Sequence, residues 1–206
     1  MILGRLPLYR QWKSKYATHF KRRRFDRIMA LVPVDPGKPV RILEVGCSGG
    51  KDFVQFLDGT AAEVWGVDLD DTSAKNITQE NFHFLAADGE HLPFEDKSFD
   101  LVVSVGLLEH IEPMEKLCRM IAEFDRVGVH QLTVIPSAST FLEPHCGKLR
   151  FPMRLETSML GDQPGQPLHL NFFSDHTWTK FQGFHDCQVK KIYYLAPLIR
   201  NTVIYR

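Results

Sequence analysis

The apolar positions of this chain fall into short runs that alternate with segments of helical spacing. Ile42 to Val45 are apolar but for Glu44, and the run, with Arg41, predicts a short buried strand that stops at Gly46. Gly46, Ser48, Gly49 and Gly50 then leave no bulky side chain where a ligand must approach the backbone. Lys51 to Leu57 predict a helix whose first amides face that ligand. Further strands are expected over Glu63 to Val67, ending at Asp68, and over Phe82 to Ala86, ending near Asp88. A fourth ends at Ser104 and Val105, followed by Glu109 and His110. A helix is predicted over Pro113 to Phe124, with proline at its start, and a fifth strand over Val127 to Ile135. Beyond these, Ser174 to Phe184 predict a helix, Cys187 to Tyr194 a strand and Asn201 to Tyr205 a last short strand. Such alternation means an open α/β sheet, mostly parallel, with the last two strands antiparallel to each other.

A ligand site is expected outside the carboxyl ends of the central strands. Asp68 lies about twenty residues past the glycine turn, where a carboxylate grips ribose hydroxyls. The glycines do not follow the dinucleotide pattern G-x-G-x-x-G, because Ser48 and Lys51 stand where two of them are required. A nicotinamide-dependent oxidoreductase is therefore a disfavoured alternative. Glu44 repels phosphates and suits a ligand bearing an ammonium or sulfonium.

The blocks ILEVGCSGG, GVDLD, AADGEHLPF and SFDLVVSVGLLEHI, in that order from Ile42 to Ile111, resemble the class I S-adenosylmethionine-dependent methyltransferases. The likeness is to the small-molecule, quinone-biosynthesis-like branch, type 11, and covers about a third of the chain. It implies a Rossmann-like three-layer sandwich whose seven-stranded sheet has the order 3-2-1-4-5-7-6 with an antiparallel last strand. It also implies that S-adenosyl-L-methionine is the cofactor and S-adenosyl-L-homocysteine the product. Under the resemblance Glu44 anchors the methionine end, and Gly46, Cys47, Ser48 and Gly50 form the turn that passes close to the ligand. Asp68 takes the ribose, Leu69 packs beside the adenine, and Asp88, flanked by Ala87 and Gly89, bonds its amino group. Ser104 and Val105 offer a backbone carbonyl to the ammonium. Ser48 and Gly49 depart from the family's commoner Gly-Thr or Gly-Ser pair.

Methyl transfer from a sulfonium is an in-line displacement, so a base is needed only where the acceptor must lose a proton. The candidates are Glu109, His110 and His145, with Glu143 and His169 beside them; a structural imidazole or a solvated loop histidine is the alternative reading of each histidine. His145, Cys146, His169 and His176 lack the paired spacing of a zinc site, so no metal is expected.

At 206 residues and 44% apolar content the chain is expected to build one domain around one core. Within it, residues 1–39 read as a helical arm or lid. Residues 136–171, with five prolines among aromatic and histidine residues, read as an insertion capping the substrate pocket. The four cysteines show no C-x-x-C pair, and no signal peptide or membrane-length apolar run is present, which fits a cytoplasmic protein.

Charge is uneven although the total is zero. The first 27 residues hold nine cations against Asp26 alone. Lys21, Arg22, Arg23, Arg24 and Arg27 form either a surface for nucleic acid or another anionic partner, or the solvated face of an amphipathic helix on which Tyr16, Phe20, Ile28, Leu31 and the stem of Arg24 share the inner stripe. The expected activity is methylation of a small molecule such as a sugar, lipid or quinone-like intermediate. The alternative from another class is a cofactor-binding scaffold or RNA-binding protein acting through the basic arm. Oligomeric state is left open by the sequence.

Overall fold

The run that starts at Arg41 is strand β1, Arg41–Val45, buried from Ile42 onward, as continuous apolar sequence in a central parallel strand requires. Around it a computed structural model, describing residues 7–30, 39–50, 52–57, 61–137, 142–143, 148–149, 188–194 and 199–205, builds a three-layer α/β arrangement. The strands are β2 (Glu63–Asp68), β3 (Phe82–Ala86), β4 (Phe99–Val105), β5 (Gly128–Pro136), β6 (Leu142–Glu143), β7 (Lys148–Leu149), β8 (Gln188–Tyr194) and β9 (Ile199–Tyr205). Seven of them form one sheet in the order β3-β2-β1-β4-β5-β9-β8; β6 and β7 pair as a separate hairpin. With the hairpin set aside, this is the expected order 3-2-1-4-5-7-6. Strands β1 to β5 pair in parallel, and β9 runs antiparallel to both β5 and β8.

Side chains alternate across β1, so Ile42 lies in one core layer while Leu43 and Val45 lie in the other. Helix α1, Pro7–Met29, covers the Ile42 face with Phe25 and Ile28, both buried. Burying each of these side chains contributes about 1.5–3 kcal/mol. Phe25 packs against Phe53 and Phe56 at ring separations of 5.0 and 5.6 Å. Helix α2, Met114–Val127, covers the opposite face with Leu117, Met120, Ile121, Phe124 and Val127, spaced as one helical stripe. Pro113 stands just before its first turn, as the sequence predicts.

Two expectations need correction. The segment after the glycine turn is not an α-helix over 51–57 but a single 3₁₀ turn, Val54–Phe56. Phe53, Val54, Phe56 and Leu57 are all buried, so the segment plugs the core instead of presenting one face to it. On α1 the inner stripe is formed by Phe20, Phe25 and Ile28, while Tyr16 remains exposed. The helix expected over 174–184 and most of the cap over 136–171 lie outside the described residues.

Candidate functional site

Strands β1, β2, β3 and β4 end side by side at one edge of the sheet, and the predicted ligand-binding residues lie at these ends. The turn after β1 is tied to β2 by the backbone N–H groups of Gly46 and Cys47, which donate to the Val67 carbonyl at 2.8 and 3.2 Å. Gly46 has φ +77°, and a Cβ there would come within 2.9 Å of Leu107 Cδ2. The backbone conformation favours glycine, and Leu107 would have to shift to admit a Cβ. Ser48 also lies in the left-handed region, φ +45°, and donates its backbone N–H to Asp68 Oδ2 at 2.8 Å.

The acids occupy different environments. Glu44 is 1% exposed, on the sheet face covered by α1, and its Oε2 has no hydrogen-bond partner. Burial pushes its carboxyl well above the usual range and the charge of Asp52 adds to this; Arg24, the Val54 N–H and Lys21 pull it partly back. Asp68 accepts Ser48 N–H and Asp70 N–H, the latter at 3.1 Å. Asp88 accepts Glu90 N–H at 3.1 Å and lies 3.6 Å from Lys116 Nζ. The Ala87 N–H donates to the Asp68 carbonyl at 3.1 Å, which brings the two acids' backbones together. Leu69, apolar and next to Asp68 in the chain, is left 69% exposed.

The remaining predicted positions divide by role. Ser104 and Val105 are buried at the end of β4, and Ser104 Oγ has no partner. Cys47 is buried, and burial pushes its thiol up, so it is a neutral packing group. Gly50 has φ +66° with Ile77 beside it, whereas Gly89 makes room for the end of Met120. Glu109 is buried and His110 half-buried within the 3₁₀ turn Leu108–His110 that follows β4. His145, His169, Cys146 and His176 lie outside the described residues, as does the side chain of Glu143. Among the described residues no cluster of histidine, cysteine, aspartate and glutamate is arranged to hold a metal.

Sequence reasoning missed the contact that joins α1 to this edge. Arg24 Nη2 bonds Asp52, on the loop after the glycine turn, and Lys21 Nζ approaches the same carboxylate at 3.1 Å. Burial acts to raise the Asp52 carboxyl, but Arg24 and Lys21 outweigh it and hold the group below its usual value. The spacing of Lys21, Arg24, Phe25 and Ile28 on one helical face was the available signal. Arg22, Arg23 and Arg27 face outward, with Arg22 paired to Asp26 at 2.8 Å. Among the described residues no helix is long and apolar enough to cross a membrane.

Residues 43–129 match the family described as "Methyltransferase domain". Over 118 residues the chain is 28% identical to a tRNA U34 carboxymethyltransferase from Idiomarina loihiensis, covering 50% of this chain and 36% of that protein. It is 33% identical over 113 residues to a malonyl-[acyl-carrier protein] O-methyltransferase from Geobacter sulfurreducens, covering 52% and 41%. The matches thus span well under half the length of these relatives. A crystal structure of a SAM-dependent methyltransferase from Archaeoglobus fulgidus superposes with a TM-score of 0.64 at 16% identity, over 96% of this chain and 98% of that one. With the 3-2-1-4-5-7-6 sheet, the glycine turn and the acids ending β2 and following β3, these likenesses identify residues 43–129 as a methyltransferase domain, in a chain with the class I S-adenosylmethionine-dependent methyltransferase fold.

Proposed function

We propose that this chain binds S-adenosyl-L-methionine at the carboxyl ends of β1 to β4 and transfers its methyl group to a small-molecule acceptor. The observation that carries the reading is the buried Glu44 carboxyl group, two residues before the glycine turn in the chain, whose open oxygen suits an ammonium. Asp68 and Asp88 are then the ribose and adenine acids, Leu69 the apolar contact for the base, and the Ser104–Val105 backbone a further acceptor for the ammonium. Bound there, the cofactor supplies an already activated methyl group. The chain's own residues hold it and orient the acceptor. His110, half-buried after β4, suits a base role better than Glu109, which is 1% exposed. The relatives' names span a tRNA base and a malonyl-carrier substrate, so kinship leaves the acceptor open. The small-molecule reading is supported by the proline- and aromatic-rich stretch at 136–171, long enough to cap a pocket.

Calorimetric titration with S-adenosylhomocysteine, run beside NAD, tests the cofactor. Micromolar binding of the first alone is expected, and binding of NAD alone overturns the reading. Methyl transfer from labelled cofactor is then followed on a panel of small hydroxyl, amine and carboxyl acceptors beside bulk tRNA. Label appearing only in the tRNA refutes the small-molecule assignment and favours the outward arginines of α1 as an RNA surface.

A further inference from the structure

Two buried polar atoms on groups of opposite charge are left open where α1 meets β1. Glu44 Oε2 has no hydrogen-bond partner, and neither has Arg24 Nε, although the Nη2 of the same guanidinium is committed to Asp52. The Arg24 side chain is 12% exposed. The two residues belong to facing elements: Glu44 lies on the β1 face that α1 covers, and Arg24 lies one position before Phe25, which packs into that face. The charge of Arg24 reaches the Glu44 carboxyl, yet the two groups are not bonded to each other. Buried donors and acceptors are nearly always partnered. An open acceptor that suits a cation and an open donor that suits an anion, on facing elements, match the ammonium and carboxylate of one α-amino acid group.

We infer that Arg24 of α1 is a ligand-binding residue that receives the α-carboxylate of the cofactor's amino-acid end, opposite Glu44 at its ammonium. The inference rests on the proposed cofactor. It makes the N-terminal helix a wall of the cofactor site, and it assigns the two inward cations different work: Lys21 holds Asp52, while Arg24 spans Asp52 and the ligand.

The test compares S-adenosylmethionine with its decarboxylated analogue, which keeps the sulfonium and the ammonium, on wild type and on Arg24→Gln. Losing one charge-assisted contact is expected to weaken S-adenosylmethionine binding about 10- to 100-fold in the variant, with the analogue changed by no more than about 2-fold. Equal weakening of both ligands means that Arg24 only holds α1 in place, and no change in either means that it lies outside the site; each result overturns the inference. Failure of the wild type to bind either ligand overturns the cofactor reading and this inference with it. Arg24→Lys, which keeps a cation beside Asp52, guards against misfolding: it is expected to melt like wild type and still lose discrimination between the two ligands, and unchanged discrimination counts against the guanidinium.

Discussion

Asp68 accepts the backbone N–H of Ser48 at 2.8 Å, so the acid that ends β2 also braces the turn that ends β1. One carboxylate thus shapes the turn and faces the proposed ribose position. Asp68→Ala is expected to cost about 1.5–3 kcal/mol of S-adenosylhomocysteine affinity, the range for hydrogen bonds to a charged group. Because the Ser48 N–H loses its acceptor too, the ligand-free variant should also melt at a lower temperature. Calorimetry and thermal melts on the same samples check both, and unchanged affinity removes Asp68 from the ribose role.

Ser48 occupies a backbone conformation that favours glycine, φ +45°. This is also where the sequence departs from the commoner family pattern. The left-handed region costs a non-glycine residue about 1–2 kcal/mol, and the added freedom of glycine in the unfolded chain returns about 0.4–1 kcal/mol of that. Ser48→Gly should therefore stabilise the protein by about 0.6–1 kcal/mol and leave cofactor affinity intact, since the N–H that meets Asp68 is a backbone group. Denaturant unfolding curves decide the sign. A destabilised variant shows that the serine hydroxyl contributes more to the turn than the strain takes away.

Glu44 makes stability and binding pull in opposite directions. Its folded pKa is raised by burial, so its contribution favours folding below the ordinary carboxyl range and is lost as pH rises toward the raised value. Glu44→Gln removes that loss. Without ligand the variant should be more stable than wild type at neutral pH, with the difference shrinking as pH falls below the ordinary glutamate value of about 4.3, where the carboxyl becomes protonated in both states. It should at the same time bind S-adenosylhomocysteine more weakly. Melting temperatures across pH, with and without ligand, report both effects, and a variant less stable than wild type at neutral pH contradicts this account.

The strands were legible in the sequence because short, mostly apolar runs end at acids or glycines: the buried Arg41–Val45 and the half-exposed edge strand Phe82–Ala86 both form as read. The turn at Val54–Phe56 was not, because a short run that is apolar on every side looks the same whether it becomes a helix or a plug. Phe25 was hidden inside a run of charges, and its burial follows from α1 docking on a sheet whose residues come later in the chain. The pairing of Arg24 with Asp52, 28 positions apart, has no local signature. Gly89, read as flanking the acid Asp88, also gives space to Met120 on α2, a packing contact with no local signature.

Arg126 joins the end of α2 to the loop that follows Asp88. It donates to the Leu92 and Phe94 carbonyls at 2.8 and 2.7 Å, to both Glu123 oxygens at 2.7 Å, and to Asp96 at 3.0 Å. Such planar, divergent donation needs a guanidinium. Arg126→Ala should lower stability by about 1–3 kcal/mol, and Arg126→Lys should recover little of it, whereas affinity for S-adenosylhomocysteine should change little in either. Glu123, held below its ordinary value chiefly by Arg126, adds a stabilising contribution that is present above the ordinary carboxyl value and lost as pH falls through the lowered one. Removing Arg126 should therefore flatten the stability profile at the acidic end, which denaturation at several pH values will show.

Every described residue by which α1 enters the core or pairs with Asp52 lies at or after Phe20: Phe20 itself, Lys21, Arg24, Phe25, Ile28 and Met29. Among the described side chains, removing residues 1 to 20 strips one partly buried ring of that contact, Phe20. The truncated protein should fold, lose no more than about 1–2 kcal/mol of stability for the missing ring, and bind S-adenosylhomocysteine with near wild-type affinity, because Arg24 and Glu44 remain in place. If the arm serves as a lid over the acceptor, kcat/KM for a working acceptor should fall while cofactor affinity holds. Parallel loss of both sinks the lid assignment and makes the first turns of α1 part of the cofactor site. Extending the cut through Met29 removes Arg24, Phe25 and Ile28 together, and cofactor binding and folding should then fail at once.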